Sequence, residues 1–249
     1  LPKGYTGSNA GRATQGAAKG LLAKVYLTRA GNTANSPYWQ QAANKAKEVI
    51  DGKVYDLWED YADVFALKNR CGKESLFEVL FVTDVQGNSF TTGYAPRGAP
   101  IVPSNGFGIF RVSKSLFDKY IATDKRKAVT FLTSYVHPTT QQTVQLSVET
   151  TDPALAVSFW KLADPTTKIG SQGGTSWPYM RYSEVLLIYA EALNEAKGAP
   201  DGEAYDAINK VRKRAGLDPL KGLSKTTFKD AILEERRLEF CFEGQRWFD

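Results

Sequence analysis

The densest run of ionisable side chains lies late in the chain, where Glu234-Glu235-Arg236-Arg237-Leu238-Glu239 is followed by Glu243-Gly244-Gln245-Arg246-Trp247-Phe248-Asp249. Guanidinium groups this close together could clamp an anionic ligand through paired hydrogen bonds. The same residues also fall at i, i+3 and i+4 on a helix with Phe228 and Leu238 beneath it, where Arg and Glu pair with each other. The second, structural reading is preferred, with Arg181, Glu184 and Glu191 on an earlier helix as partners.

Other chemistry-bearing patterns are thinner. Gly170-Ser171-Gln172-Gly173-Gly174-Thr175-Ser176 invites a phosphate-loop reading. It lacks the Lys before Ser/Thr and no strand clearly precedes it, so a flexible loop is expected. His137, the only histidine, stands beside Pro138 without a Ser or Cys elbow, and an exposed loop residue is expected there. Cys71 and Cys241 are far apart and have no other metal-type ligands beside them. A zinc site needs about four such ligands, so no metal or cofactor is expected. A disulfide stays open for an exported protein, with two buried thiols the preferred reading. The 27 acidic residues guarantee some close carboxylate pair by chance, so their number argues for no glycosidase. No catalytic constellation emerges and no enzyme is expected.

The loop aromatics carry a different signal. From Thr83 to Phe110 the chain is dense in Gly, Asn, Pro and aromatics, and a loop this long in a compact domain is functional or disordered. Tyr94, Phe107 and Trp177 lie among Gly, Pro and Ser and not on an apolar stripe. A flat aromatic face stacks on the C–H face of a sugar ring, and a neighbouring amide such as Asn105 bonds its hydroxyls. Tyr94, Asn105, Phe107 and Trp177 are therefore the candidate ligand-binding residues, against the plain alternative that they anchor their loops.

The elements that must position them are helical. Thr14 opens a helix in which Ala18, Leu21, Leu22 and Val25 form an apolar stripe at i, i+3, i+4 and i+7. Gly16, Ala17, Gly20 and Ala23 keep its other side small, so that a second helix approaches closely. A helix with Trp39, Ala42, Ala43, Ala46 and Ile50 on one stripe follows, ending at Asp51-Gly52. Residues 178–249 repeat the design. Val185, Ile188, Tyr189 and Ala192 line one helix, closed by Gly198, and Asp201 caps the next, with Ala204, Ala207, Ile208, Val211 and Ala215 ahead of Gly216. A last helix runs from about Thr227 to Phe242. Between these pairs only Leu76 to Val82 reads as a strand, and a short helix lies around Ser115 to Ile121. The expectation is a mainly α chain of tetratricopeptide-like helical hairpins with long irregular loops and little β structure. It is read as one domain: a hairpin over 1–52, an irregular insert over 53–177 with the ligand loops, and a hairpin plus terminal helix over 178–249.

A net charge of +5 is spread along the chain with no basic stripe, so no nucleic-acid partner is expected. No apolar run approaches the ~20 residues of a membrane span. Leu1-Pro2-Lys3-Gly4 resembles no signal peptide, and the sequence stops inside what reads as structured chain, so a piece of a longer protein is expected.

Three blocks in order resemble the SusD/RagB family of outer-membrane nutrient-binding lipoproteins. They are Gly11-Arg12-Ala13-Thr14-Gln15-Gly16-Ala17-Ala18 running on to Leu27; Arg181-Tyr182-Ser183-Glu184-Val185-Leu186 running on to Ala192, with Ile208 to Gly216; and Glu235-Arg236-Arg237-Leu238-Glu239-Phe240 with Glu243 to Asp249. Glu74 to Phe81 and Asp124-Lys125-Arg126 agree more weakly. The resemblance implies non-catalytic capture of glycans at the outward face of the outer membrane, with a SusC-like TonB-dependent transporter as partner. It implies a lipid anchor on a cysteine absent from this chain, and relatives about twice as long, so that an amino-terminal portion and the extreme carboxy-terminus are missing. The shared blocks look like scaffold, and no binding residue is carried over from them. The alternatives are a helical-repeat scaffold whose only ligand is another protein, with its exposed aromatics in one flat patch, and a binder of a non-glycan nutrient such as peptide.

Overall fold

A computed structural model describes residues 1–247; Phe248 and Asp249 of the third motif lie outside the described residues. In chain order the elements are helices α1 (Gln15–Ala30) and α2 (Pro37–Asp51), strand β1 (Ser75–Val79), and short helices α3 (Phe90–Tyr94), α4 (Lys114–Phe117) and α5 (Arg126–Thr130). Strands β2 (Phe131–Leu132), β3 (Ser134–Val136), β4 (Thr143–Gln145), β5 (Ser158–Phe159) and β6 (Trp177–Arg181) follow, then helices α6 (Tyr182–Lys197), α7 (Gly202–Ala215) and α8 (Lys225–Glu239). The strands form three two-stranded sheets, β1 with β6, β2 with β5 and β3 with β4. The fold is mainly α with little strand, as the periodicity predicts.

The chain divides into two compact units. The first comprises Leu1–Asp60, Cys71–Glu78 and Pro178–Asp249, the second Tyr61–Arg70 and Val79–Trp177. The first unit is built of the long helices, and their ends follow from local chemistry. Thr14 Oγ1 accepts the Ala17 N–H at 3.0 Å, and Asp201 Oδ1 accepts that of Ala204 at 2.9 Å, each satisfying a first-turn donor. Gly198 and Gly216, both at φ 77°, end α6 and α7 in the left-handed conformation that glycine adopts without strain. Helix α6 is buried on nearly every side from Tyr182 to Asn194, so it is the central helix. Around it pack Ala42, Ala43, Ala46 and Val49 of α2, Ala204, Ile208 and Val211 of α7, and Phe228 and Ile232 of α8.

The stripe read from α1 points the other way. Ala17, Gly20, Ala23 and Ala30 are buried, whereas Ala18, Leu21, Leu22 and Val25 are exposed. The small side wins because α1 lies very close to its neighbours. A Cβ on Gly20 would stand 2.7 Å from Leu76 Cδ2 and 2.9 Å from Met180 Sδ.

The charged motifs make a buried ion network. Arg181, 2% exposed, donates to Glu74 at 2.7 Å, Glu239 at 2.8 Å and Glu243 at 2.9 Å, and Arg214 reaches Glu74 at 2.8 Å and also bonds Glu239. Glu184 takes Lys24 at 2.8 Å and Arg236 at 3.5 Å, and Glu235 takes Arg212 at 2.9 Å. The pairing reading of these residues is therefore correct. It spans five elements and not one helix face. Cys241 is a buried thiol, whereas Cys71 is only half-buried, in a turn at φ 53° where its N–H is bonded to the Glu78 carboxylate.

The second unit has short elements around an aromatic core. Phe131 meets Phe117, Tyr120 and Phe159 at centroid distances of 5.3, 5.1 and 5.8 Å. A fully buried Arg126 is bonded to Asp124 at 2.8 Å, and Lys161 lies over the rings of Tyr61 and Phe65. The strand expected over Leu76 to Val82 stops at Val79. Beyond it Val82 and Gln86 close a turn, with the Val82 N–H on Gln86 O at 2.8 Å and Asp84 at φ 59°.

Candidate functional site

The aromatics of the second unit gather around α3. Asn88 starts this short helix by accepting the Phe90 N–H on its side-chain oxygen at 3.0 Å, a local turn that Asn favours. Phe90 and Tyr94, four residues apart, stack with centroids 5.5 Å apart and planes 6° from parallel. Trp177 leans on the same Phe90 ring at 5.5 Å and 53°. Phe81 meets Phe90 edge-on at 6.1 Å, and Phe110 meets Tyr94 edge-on at 5.9 Å.

Of the four residues singled out in the sequence, the structure joins Tyr94 and Trp177 through Phe90. Their exposures differ. Tyr94 is 7% exposed, and burial pushes its hydroxyl pKa up to about 12, so it stays a neutral group inside the cluster. Trp177 is only partly buried. Phe107 is exposed, and its segment is tied to α3 and its cap through backbone: Phe107 N–H to Thr92 O at 2.8 Å, Gly108 N–H to Ala95 O at 2.9 Å, and Ile109 N–H to Gly93 O at 2.9 Å. Asn105 is exposed and follows Ser104 in the left-handed region, at φ 58° and 64°. Asn tolerates that conformation, so turn chemistry alone accounts for an Asn there. Gly106 then passes so close to Pro96 O that no Cβ fits.

Sequence reasoning passed over Phe90, the ring that links the candidates. Its signal was the i, i+4 spacing to Tyr94, hidden inside a segment read as loop. It also passed over Phe81 and Phe110, which had no periodic partner. Trp177 was read as a loop residue and in fact starts β6.

Short polar side chains hold the platform's loops. Buried Asp164 accepts from Thr83 Oγ1 at 2.8 Å, Gly174 N at 2.8 Å, Thr166 N at 2.9 Å and Thr166 Oγ1 at 2.5 Å. Burial alone would raise its pKa, but the hydrogen bonds from Thr166, Gly174 and Thr83 outweigh it and hold the carboxyl below its usual range. Asp84 likewise accepts from Lys168 N at 2.8 Å, Ile169 N at 3.0 Å and Thr167 Oγ1 at 2.9 Å. The Gly170–Ser176 tract is thus no loose loop. Asn88 and Gly173 exchange two backbone bonds, at 2.9 and 2.8 Å, and Gly173 through Ser176 are buried. The amides of Gln172, Gly173 and Gly174 bond Ile169 O, Asn88 O and the Asp164 carboxylate, so they serve the fold. His137 sits at the tip of the β3–β4 hairpin, where Nδ1 accepts the N–H of Thr139 and Thr140 at 3.3 Å each, a turn-anchoring role. Among the described residues no helix is long and apolar enough to cross a membrane.

A part-buried indole packed on stacked rings, in the same unit as an exposed Phe107 and an exposed Asn105, offers flat apolar area and hydrogen-bonding groups. Such a surface binds rings that carry both C–H faces and hydroxyls.

Comparison with known proteins agrees on the fold. A family model described as the SusD family matches residues 126–249. SusD-like protein P2 of Formosa agariphila is 31% identical over 93% of this chain and 49% of its own length. A SusD superfamily protein of Parabacteroides distasonis superposes on 100% of the chain, and 54% of its own, with a TM-score of 0.85 at 28% identity. Surface glycan-binding protein A of Bacteroides thetaiotaomicron, solved in complex with laminarihexaose, covers 100% of this chain and 56% of its own with a TM-score of 0.79 at 26% identity. The chain spans about half the length of the curated relatives it matches. With the family model on its later half, SusD-like relatives along nearly all its length and SusD superfamily structures superposing on the whole, the chain belongs to the SusD family.

Proposed function

We propose that this chain is part of a non-catalytic glycan-binding protein displayed at the outward face of the outer membrane. The observation that carries the reading is the Phe90–Tyr94 stack with Trp177 leaning on it, part-exposed. Trp177 and Phe107 supply stacking faces, Tyr94 supports them from within, and Asn105 supplies the amide. A similar structure holds laminarihexaose and another a xylogluco-oligosaccharide, which favours an oligosaccharide as the ligand class. An open platform binds modestly, which suits a protein that must hand its ligand on. Delivery to a SusC-like TonB-dependent transporter, and attachment by a lipid anchor outside these residues, complete the proposal; both rest on family membership.

The test is a screen of the protein against soluble plant, host and microbial polysaccharides by affinity gel, with calorimetry on any hit and product analysis for hydrolysis. Saturable binding without turnover is expected. Trp177→Ala together with Phe107→Ala should weaken that binding by roughly 10-fold or more while far-UV circular dichroism stays unchanged, since each stacked ring is worth about 1 kcal/mol. Binding that survives the double variant removes these residues from the site, and any released sugar ends the non-catalytic reading.

A further inference from the structure

The loops that form the aromatic platform carry no carboxylate. Between Asp84 and Asp118 the charged residues are Arg97, Arg111 and Lys114, all cations, and between Asp164 and Trp177 the one charged residue is Lys168. These two segments, with Trp177 at the end of the second, hold Phe90, Tyr94, Asn105 and Phe107. The carboxylates at their borders are engaged by the loops themselves. Asp84 accepts from Thr167 Oγ1 at 2.9 Å and Lys168 N at 2.8 Å, and Asp164 from Thr83 Oγ1 and Gly174 N, both at 2.8 Å.

The three cations of the longer segment differ in their partners. Lys114 pairs with Asp118 at 2.9 Å and Glu149 at 3.2 Å, and Arg111 donates to the carbonyls of Thr150 and Thr151. Arg97 is exposed, and among the described residues its guanidinium has no hydrogen-bond or ion-pair partner. Its backbone N–H bonds Pro153 O at 3.2 Å, but the carboxylate of the preceding Asp152 accepts the Ala154 N–H at 2.9 Å. The backbone also sets Arg97 beside the exposed ring. Gly98 N–H bonds Gly106 O at 2.8 Å and Gly108 N–H bonds Ala95 O at 2.9 Å, so the Arg97 segment runs alongside Phe107. A Cβ on Gly108 would stand 3.1 Å from Arg97 Cβ, and the bare glycine leaves room for the arginine stem.

We infer that the glycan held here is anionic, with carboxylate or sulfate groups on its rings, and that Arg97 binds one of these groups beside Phe107. A neutral sugar presents hydroxyl donors, for which carboxylates are the strong acceptors, and these loops offer none. An anionic ring presents acceptors instead, and a free guanidinium matches them with paired donors. A surface without carboxylates also spares such a chain like-charge repulsion. The inference rests on the glycan-binding reading of the platform and adds the charge of the ligand.

The test is affinity-gel titration of the protein with polygalacturonate, whose rings carry carboxylates, κ-carrageenan, whose rings carry sulfates, and the neutral polysaccharides laminarin and xyloglucan. At least one polyanion should bind roughly 10-fold tighter than either neutral polymer, and added NaCl should weaken it; which of the two binds names the anion. Arg97→Gln should lose roughly 10-fold in that affinity with an unchanged melting curve. Lys221→Gln, the same change of charge at an exposed position of the helical unit, should stay within about 2-fold. No loss in Arg97→Gln, or equal losses in the two variants, would mean diffuse attraction to a chain of net charge +5 and would overturn the inference. A preference for laminarin or xyloglucan overturns it while leaving glycan capture intact. Binding to none of the four overturns it as well, and the broader polysaccharide screen then decides the capture reading separately.

Discussion

The two units of this chain order themselves by different means. The helical unit relies on long elements with apolar stripes and on buried charges that neutralise each other. Arg181 alone touches Glu74, Glu239 and Glu243, each far from it in sequence. The loop unit has no helix longer than five residues and two- or three-residue strands. It is held by aromatic contacts, by glycines that let backbones touch, and by Asp84 and Asp164 acting as many-bonded acceptors. A unit of the first kind makes a scaffold whose side chains have little freedom to change. A unit of the second kind keeps aromatic faces near water, which is what a recognition surface needs.

Substitution sharpens this contrast, and the largest effect is expected in the ion network. Arg181→Met should cost about 3–5 kcal/mol, because it leaves buried carboxylates without their counter-charge. Thermal unfolding followed at 222 nm should show it; a loss near zero would mean that water reaches the network and that the units are less different than described. A smaller loss, about 2–3 kcal/mol, is expected for Asp164→Ala, which strands the donors of Thr83, Thr166 and Gly174. Hydrogen exchange should rise in the Asp164-bonded loops while α6 stays protected, and a rise across both units would break the comparison. Because hydrogen bonds hold the Asp164 carboxyl below its usual range, its contribution is complete above about pH 4 and is lost as pH falls through its lowered value. The parent's loops should therefore loosen in acid in a way the variant does not repeat. The smallest effect is at a cap. Thr14→Ala removes the acceptor for the Ala17 N–H and should cost about 1 kcal/mol, measurable by urea titration.

The same contrast decides what could be read from sequence. In the helical unit period and capping agree, so α7 runs from the Asp201 cap to Gly216 as expected, with all five stripe residues buried. Helix α1 defeated the reading because both of its faces are apolar, and periodicity cannot say which of two apolar faces meets the core. The charged motifs were legible as pairs but not as a network, since Glu74 enters from the turn before β1, 107 residues before Arg181, and no local spacing reports it. In the loop unit the composition pointed to aromatics off any apolar stripe but not to their geometry. Tyr94 and Trp177 do approach a common ring, but that ring is Phe90, and it takes its place through an Asx turn. Asn105 looked like a ligand group for the same reason it suits a left-handed turn, and residue type alone cannot separate those roles.

The buried network also sets how the molecule responds to heat. The hydration that charges forgo on burial becomes less favourable as temperature rises, so the penalty for enclosing Arg181, Arg214 and their carboxylates shrinks while hydrophobic stabilisation levels off. The loop unit has the Arg126–Asp124 pair in its interior and otherwise leans on ring contacts and on hydrogen bonds gathered by single carboxylates such as Asp164. Warming therefore tilts the balance toward the helices, and the aromatic surface is the part of the molecule that a hot environment would dissolve first.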